Sequence, residues 1–510
     1  MYFSKSGYRD FCQCGKYAWL RINKPEEYIP DGDEQSRMER GKMIGELARG
    51  YFGDHVNVMA YDEDGELDLA QMVKNTKAEM EKNTPVICEA SFSFGGLYCA
   101  VDILRREGDG WSIYEVKSSV EVTDIYTDDV AYQKYVLENC GVNISGIYLM
   151  NINNKYVFDG TLDIHKLFKI TDLSEKVEDK LPGISENLKR AEEILGDTKE
   201  PDIGLGLQCS KKCGFWKYCK RNIPTPSVFD LFKIQIRTAL GFYNRGIITF
   251  KDADKAIPTK AEQNDKTSST AKVHRLQIDF CLDENKETYV DKENLRKFLD
   301  ELTYPLYFLD FETFQTPVPK YEGTVPYAQI PFQYSLHYIE SEGGELKHKE
   351  FLAEPGTDPR RGIAEALCRD IPEDVIFVAY NAGFEKRMLN ELAAIFPDLS
   401  EHLLNIRKHA KDLMKPFSEG WYFNRRMSEN PSHIATIKNV LPSMFPDDPS
   451  LDYHNLEGIH NGGEAMKAFP AMESMSPEEL AETRKNLLKY CELDTFAMVK
   501  VWEALKDTVK

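Results

Sequence analysis

Two sets of acidic residues and one set of cysteines are spaced for metal chemistry. In YCAVDILRREGDGWSIYEVK, residues 98–117, Glu115 and Lys117 stand two apart and so share one face of a strand. Asp102, on the preceding segment, can sit opposite them. Two carboxylates and a lysine on one sheet edge suit Mg²⁺ or Mn²⁺ with an activated water. Hard divalent ions take carboxylate oxygens, and the lysine orients the water or steadies phosphate charge. The second set begins in LYFLDFETF, residues 306–314, where an apolar strand carries Asp310 and Glu312 on one face. A buried strand tolerates that pair only with something cationic between them. Tyr490 and Asp494, four apart, share a face of the last helix. Cys209, Cys213 and Cys219, with Cys14 far upstream, make a four-thiolate set. Thiolates select soft or borderline metals, so a [4Fe–4S] cluster and a structural zinc are the candidates.

The elements that must position these residues are readable. Gly108-Asp109-Gly110 turns between the two strands of the first site, and Gly95-Gly96 is a hairpin signal between Val86–Phe94 and Leu97–Arg106. Ile44, Leu47, Ala48 and Tyr51 recur at helical spacing over 34–52. Helices are expected over Asp128–Asn139 and Leu173–Leu195, with a buried strand over Ile144–Ile152. Cys12 and Cys14 fall in the first turn of a short helix. Ile223-Pro-Thr-Pro-Ser reads as a break, and 258–272 as a mobile polar linker. Val228–Tyr243 and Glu293–Leu302 read as helices, Val375–Tyr380 as a second buried strand, and Pro477–Lys506 as a helix capped by Ser476. The expected organisation is a domain over 1–224, a helical linker region over 225–300, and a domain over 301–510, both domains α/β.

The chain has 510 residues, enough for two or three cores, and a formal charge of −20, which excludes a passive polyanion binder. A metal-dependent nuclease can still be acidic, since its ions invert the local field. No apolar run approaches a membrane span, so no membrane association is expected. Eleven cysteines, an odd count without an export signal, point to a reducing cytoplasm. Cys88, Cys99, Cys140, Cys281, Cys368 and Cys491 read as small core residues. Residues 203–223 form a basic island with Phe215, Trp216 and Tyr218 interleaved. Two readings stand for it: a groove for single-stranded nucleic acid, or aromatics packed around a metal with solvated lysines.

Asp102, Glu115, Val116 and Lys117 resemble the PD-(D/E)xK nuclease signature of the RecB-like branch, and Gln133 matches the glutamine that follows its lysine strand. That branch usually carries a histidine in Gly-x-x-x-His. Here Gly41-Lys42-Met43-Ile44-Gly45 has glycine at that position, with Glu46 adjacent as a replacement ligand. One cysteine before the nuclease core and three after it resemble the branch's iron–sulfur members. This implies Cys14, Cys209, Cys213 and Cys219 as cluster ligands, Cys14 being preferred to Cys12. The later motifs are similar to the DEDD exonucleases of RNase H-like fold: Asp310 with Glu312, Asn381 to Glu385 with Glu replacing the usual Asp, and Tyr490 with Asp494. Lys489 stands where another subclass has histidine, which places the chain with the tyrosine subclass. Asp412 is the alternative should Glu385 not be a ligand. The resemblance implies four carboxylates holding two divalent ions about 4 Å apart, with Tyr490 orienting or deprotonating the attacking water. The whole chain resembles a bacterial family joining the two nucleases. The fold it implies is an N-terminal restriction-endonuclease-like mixed sheet with flanking helices, followed by an RNase H-like α/β domain.

The expected function is that of a metal-dependent nuclease, an exonuclease on DNA with single-stranded character. It has two phosphodiesterase sites and works in repair, recombination or defence. A 3′→5′ RNA exonuclease and a DNA-end-binding scaffold with one or both sites inactive are the alternatives. The expected partners are nucleic acid, DNA favoured over RNA, and a helicase or other repair or defence protein, since no Gly-x-x-x-x-Gly-Lys-Ser/Thr loop occurs in the chain.

Overall fold

The computed structural model describes residues 3–259 and 268–510, so most of the expected linker lies outside the described residues. The chain divides into two compact units, one of residues 1–221 with 316–328, the other of 222–315 with 329–510. Residues 222–300 therefore pack within the second unit, and a short later segment belongs to the first. Both units are mixed α/β.

The first unit is built on a seven-stranded sheet: β1 (Phe3–Ser4), β2 (Val56–Asn57), β3 (Val86–Phe94), β4 (Leu97–Glu107), β5 (Gly110–Lys117), β6 (Ile144–Ile152) and β7 (Phe168–Asp172). The spatial order is β2-β3-β4-β5-β6-β7, with β1 joining β4. Gly95 and Gly96 both have positive φ (55° and 84°), so the β3–β4 hairpin turns as its sequence requires. β4 and β5 pair antiparallel only as far as Ile103 opposite Tyr114, after which they part. β1 lies parallel to the freed start of β4, Phe3 opposite Leu97. The helix Asp124–Asn139 packs Val130, Tyr132, Val136 and Leu137 into the core on one sheet face. Ile44 and Ala48 of the helix Glu34–Arg49 seal the other face against Tyr114, Ile103 and Met150.

The second unit carries β8 (Thr288–Val290), β9 (Leu306–Phe314), β10 (Ile330–Ile339), β11 (Lys347–Leu352), β12 (Ile376–Ala379), β13 (Ala410–Asp412) and β14 (Tyr422–Asn424). β11-β10-β9-β12-β13 form one sheet and β8 pairs with β14. β10 is antiparallel to both neighbours, while β9, β12 and β13 run parallel. Alternation along β9 sends Tyr307, Leu309 and Phe311 into a core with Ile363, Leu367, Met388 and Leu389. Phe308, Asp310 and Glu312 take the opposite face, where Trp502 of the helix Pro477–Val509 packs on Phe308 at 5.7 Å. A capping box of Ser476 and Glu479 starts that helix, with Pro477 in its first turn.

Several expected elements shift. The helix expected over Val228–Tyr243 is a single turn, Val228–Asp230, then a reverse turn closed by the Ile234 N–H on the Leu231 carbonyl, then a helix at Ile236–Tyr243. The helix Ser269–Leu282 begins inside the segment read as linker. Cys14 lies between two helices, in extended backbone that ends Lys5–Gln13 and starts Gly15–Asn23, and not in a first helical turn. Cys140 and Cys281 are exposed and Cys368 half-buried, so of the six cysteines read as core, Cys88, Cys99 and Cys491 are buried. Among the described residues no helix is long and apolar enough to cross a membrane.

Candidate functional site

In the first unit, the parting of β4 and β5 makes the site. Past Tyr114 the N–H of Val116 donates to Asp102 Oδ2 at 2.7 Å instead of to a β4 carbonyl. Asp102 and Glu115 are thereby drawn into one cleft of about 850 Å³. Lys117 Nζ donates to Glu115 Oε1 at 2.6 Å and to Asp129 Oδ2 at 3.0 Å. Gln133 Nε2 donates to Glu115 Oε2 at 2.7 Å. The four residues read from the sequence, Asp102, Glu115, Lys117 and Gln133, thus meet.

Two further members were not read from the sequence. Lys5, one residue beyond β1, places Nζ 3.1 and 3.2 Å from the Glu115 oxygens, and Asp129 is fully buried against Lys117. The signal of Lys5 is weak because it comes from a separate element with unremarkable neighbours. Glu89, also on the cleft, has φ +58°, a conformation a side chain takes at a cost, and pairs with Arg49 at 2.9 Å. Glu46 lines the same cleft beside Gly45, at the place where the resembled family has histidine.

The two carboxyls of the cleft are driven apart electrostatically. Burial, reinforced by the charge of Glu115, pushes Asp102 up to about 7. Burial also pushes Glu115 upward, but Lys117 and Lys5 outweigh it and hold that carboxyl at about 2. At neutral pH one group is a fixed anion and the other sits near its titration point.

In the second unit, Asp310 and Glu312 of β9 meet Asp494 of the helix Pro477–Val509, with one oxygen from each within 4.8 Å of the others. At an effective dielectric of 20 each ionised pair at that separation costs roughly 3–4 kcal/mol. Accordingly Asp310 and Glu312 are raised well above the carboxylate range, by burial first and by Asp494 second. Asp494 is pushed up to about 6 by burial, against the hydrogen bonds of Tyr453 and Tyr490 and the charge of Lys438. Tyr490 is buried one turn before Asp494 on the same face of that helix.

Tyr453 and Lys438 were also missed. The Tyr453 hydroxyl donates to Asp494 Oδ1 at 2.5 Å, and Lys438 Nζ lies over the rings of Tyr453 and Tyr490 at 5.2 and 5.7 Å. Both stand on short helical pieces between the recognised motifs, where no spacing marks them. Glu385 falls in the first turn of the helix Gly383–Ile395, buried, with Oε2 lacking a hydrogen-bond partner and its carboxyl pushed by burial up to about 8. It is outside the group of three, although its charge is felt at Asp310. Asp412 is spent locally, accepting from the N–H groups of Asn381 and Met414 at 2.9 Å each.

Cys14, Cys209, Cys213 and Cys219 are half-buried free thiols. Each of the three later thiols is raised, chiefly by burial, with the others contributing. Cys219, the most shifted, reaches about 11 although Lys16 pulls it down, and Cys213, Cys209 and Cys14 all act on it. The four thiols are thus near enough to act on one another's charge. Around them Phe215 is fully buried between Tyr17 and Tyr28, and Tyr218 is buried beneath Arg221. These rings are used for packing, which removes two of the three faces that a stacking groove would need; Trp216 is half-exposed.

Residues 307–432, which apart from 316–328 belong to the second unit, match a family model described as a domain of unknown function, DUF2779. The chain is also similar to an uncharacterized protein of Mycoplasma pneumoniae, MG366 homolog, at 26% identity over 216 residues, 40% of this chain and 32% of that protein. The MG366 protein of Mycoplasma genitalium is 24% identical over 215 residues, with the same shares. The chain thus spans about a third of the length of these curated relatives.

Proposed function

We propose that the chain is a metal-dependent nuclease with two phosphodiester-hydrolysing centres, one PD-(D/E)xK-like in the first unit and one DEDD-like in the second. It acts as an exonuclease on DNA with single-stranded character. The observation that carries this reading is the meeting of Asp310, Glu312 and Asp494 within 4.8 Å. Three buried carboxyls so close, each disfavoured as an anion by burial and two of them further by the charge of Asp494, form a donor set that a hard divalent ion would satisfy. When bound, Mg²⁺ or Mn²⁺ would neutralise phosphate charge and acidify a bound water. In that centre Tyr490 would orient the water or take its proton, and Tyr453 would hold Asp494 in place.

The cleft of the first unit supports the second half of the reading. Asp102 and Glu115 would hold the ion there, and Lys117 would remain protonated because Glu115 and Asp129 surround it. Gln133 and Lys5 fix the Glu115 carboxylate. The thiols of Cys14, Cys209, Cys213 and Cys219 would carry a [4Fe–4S] cluster joining the N-terminal helices to residues 209–219.

The test uses labelled single- and double-stranded DNA and RNA with Mg²⁺ or Mn²⁺, comparing wild type with Lys117→Ala, Asp310→Ala and the double variant. Loss of hydrolysis in the double variant, with partial loss in each single one, supports two centres. Digestion unchanged in all three variants, or no digestion by wild type, overturns the proposal.

A further inference from the structure

A third set of ligand-type side chains lies apart from the carboxylates and thiols above. His337 on β10 and His348 on β11 are directly opposed in the antiparallel register, with ring centroids 4.5 Å apart. Glu492 reaches them from the helix Pro477–Val509. One ligand atom from each of the three lies within 4.8 Å of the others.

The two rings are oriented by buried hydroxyls. His337 Nδ1 lies 2.8 Å from Thr495 Oγ1, and His348 Nε2 lies 2.9 Å from Ser335 Oγ. The two hydroxyls are 2.7 Å apart, and Thr495 Oγ1 donates to the Glu492 carbonyl at 3.1 Å. Both hydroxyl residues are fully buried. Among the proton arrangements these contacts allow is one in which His348 Nε2–H donates to Ser335, Ser335 to Thr495, and Thr495 to the carbonyl, with His337 Nδ1–H donating to Thr495 as well. That arrangement leaves a lone pair on His337 Nε2 and on His348 Nδ1. Fixing a histidine through its other nitrogen is how proteins prepare imidazole as a ligand.

We propose that His337, His348 and Glu492 bind a transition-metal ion of the zinc class. Two imidazoles and one carboxylate suit zinc, and nitrogen donors disfavour Mg²⁺ and Ca²⁺, which take oxygen. Burial grades from His337, buried, through His348 to Glu492, exposed, so the ion enters from the Glu492 side and its fourth position faces water. The ion would tie the edge hairpin β10–β11 to the helix bearing Tyr490 and Asp494. No residue of the site belongs to the three-carboxylate group, and the inference does not depend on nuclease activity.

Zn²⁺ is titrated into the chelator-treated full-length chain against a chromophoric competitor, for wild type, His348→Ala, Glu492→Gln and Asp310→Ala. Wild type and Asp310→Ala are expected to share one zinc equivalent that His348→Ala lacks and that Glu492→Gln binds about tenfold or more weakly. Zinc should also raise the Tm of wild type and not of His348→Ala. Glu492 is exposed, so Glu492→Gln carries the test if His348→Ala does not fold. Equal zinc binding by wild type and Glu492→Gln overturns the site. So does loss of the same equivalent in Asp310→Ala, which would place the ion at the carboxylate centre.

Discussion

The Tyr453 hydroxyl donates to Asp494 Oδ1 at 2.5 Å across 41 residues of chain, and its ring centroid stands 6.0 Å from that of Tyr490. Two tyrosines from separate segments therefore flank one carboxyl, with Lys438 over both rings. Stabilising the ionised form of Asp494 matters because burial alone would keep it protonated. At about 6 its carboxyl is mostly anionic at neutral pH, while Asp310 and Glu312 hold their protons more strongly. Asp494 is thus the first of the three to offer a charged oxygen.

Tyr453→Phe removes that donor without changing the ring. A hydrogen bond to a charged group contributes about 1.5–3 kcal/mol, so turnover on single-stranded DNA should fall on the order of 10- to 100-fold. Tyr490→Phe, which removes the group placed to handle the water's proton, should cost about 10²–10⁴-fold. Both are measured in a Lys117→Ala background, so that only the second centre is read. Wild-type turnover in Tyr453→Phe would exclude any part for its hydroxyl.

Lys5 and Lys117 both contact Glu115, but only Lys117 also holds Asp129. Lys117→Ala should abolish hydrolysis by the first centre. Lys5→Met should leave it active and raise the Glu115 pKa from about 2, because the ionised form loses one of two cations. Lys5 also lowers Asp102, the carboxyl at about 7 that protonates first as pH falls, so the acid limb of the pH–rate profile should move to higher pH. The profile is recorded in an Asp310→Ala background. An unmoved acid limb in Lys5→Met would show that Lys5 does not set the charge of the cleft.

Cys213→Ser should strip visible absorbance from protein purified without oxygen, and Cys12→Ser should not. Cys12 is exposed in the helix before Cys14, whereas Cys213 is half-buried and feels the charges of Cys209 and Cys14. An inorganic centre joining residue 14 to residues 209–219 closes a very long loop, which restricts the unfolded chain. The colourless variant should therefore also melt at a lower temperature. Colourless wild type, with iron and sulfide below one equivalent, would contradict the cluster.

How far the sites could be read before the coordinates depended on how their residues are strung. Asp310 with Glu312, Glu115 with Lys117, and Tyr490 with Asp494 each lie on one element, so the period of a strand or helix places them together. Asp102 was accessible because a hairpin joins its strand to the next. Lys5, Tyr453 and Lys438 reach their sites through tertiary packing, and nothing in local spacing distinguishes them from surface residues, whereas Asp129 lies four residues before Gln133 on one helix, a spacing that could have found it. Glu385 shows the opposite limit. Its motif was legible, yet its position in the first turn of Gly383–Ile395 leaves it outside the three-carboxylate group. The aromatic run 215–218 left two readings open because polarity and spacing do not reveal which ring faces are already covered. The strands and long helices were legible from apolar periodicity, while the breaks near 228–236 and at Cys14 depend on packing that periodicity does not record.

His337 should make the metal-free protein acid-sensitive. Its ring is buried, stacked near His348 and bonded to Thr495, and its pKa falls to about 4 against about 6.5 in an unfolded chain. Between those values the unfolded state binds a proton that the folded state refuses. Stability from this group is therefore complete above about pH 6.5 and declines as pH falls toward 4, by roughly 3 kcal/mol at most. Urea unfolding with chelator present, followed at pH 7.5, 5.5 and 4.5, should show wild type losing more stability than His337→Gln, which has no ring to protonate. Parallel losses in the two proteins would mean that His337 is protonated in the fold as readily as outside it. A smaller loss in wild type when zinc replaces the chelator at pH 5.5 would in turn follow from an ion holding the lone pair that the proton seeks.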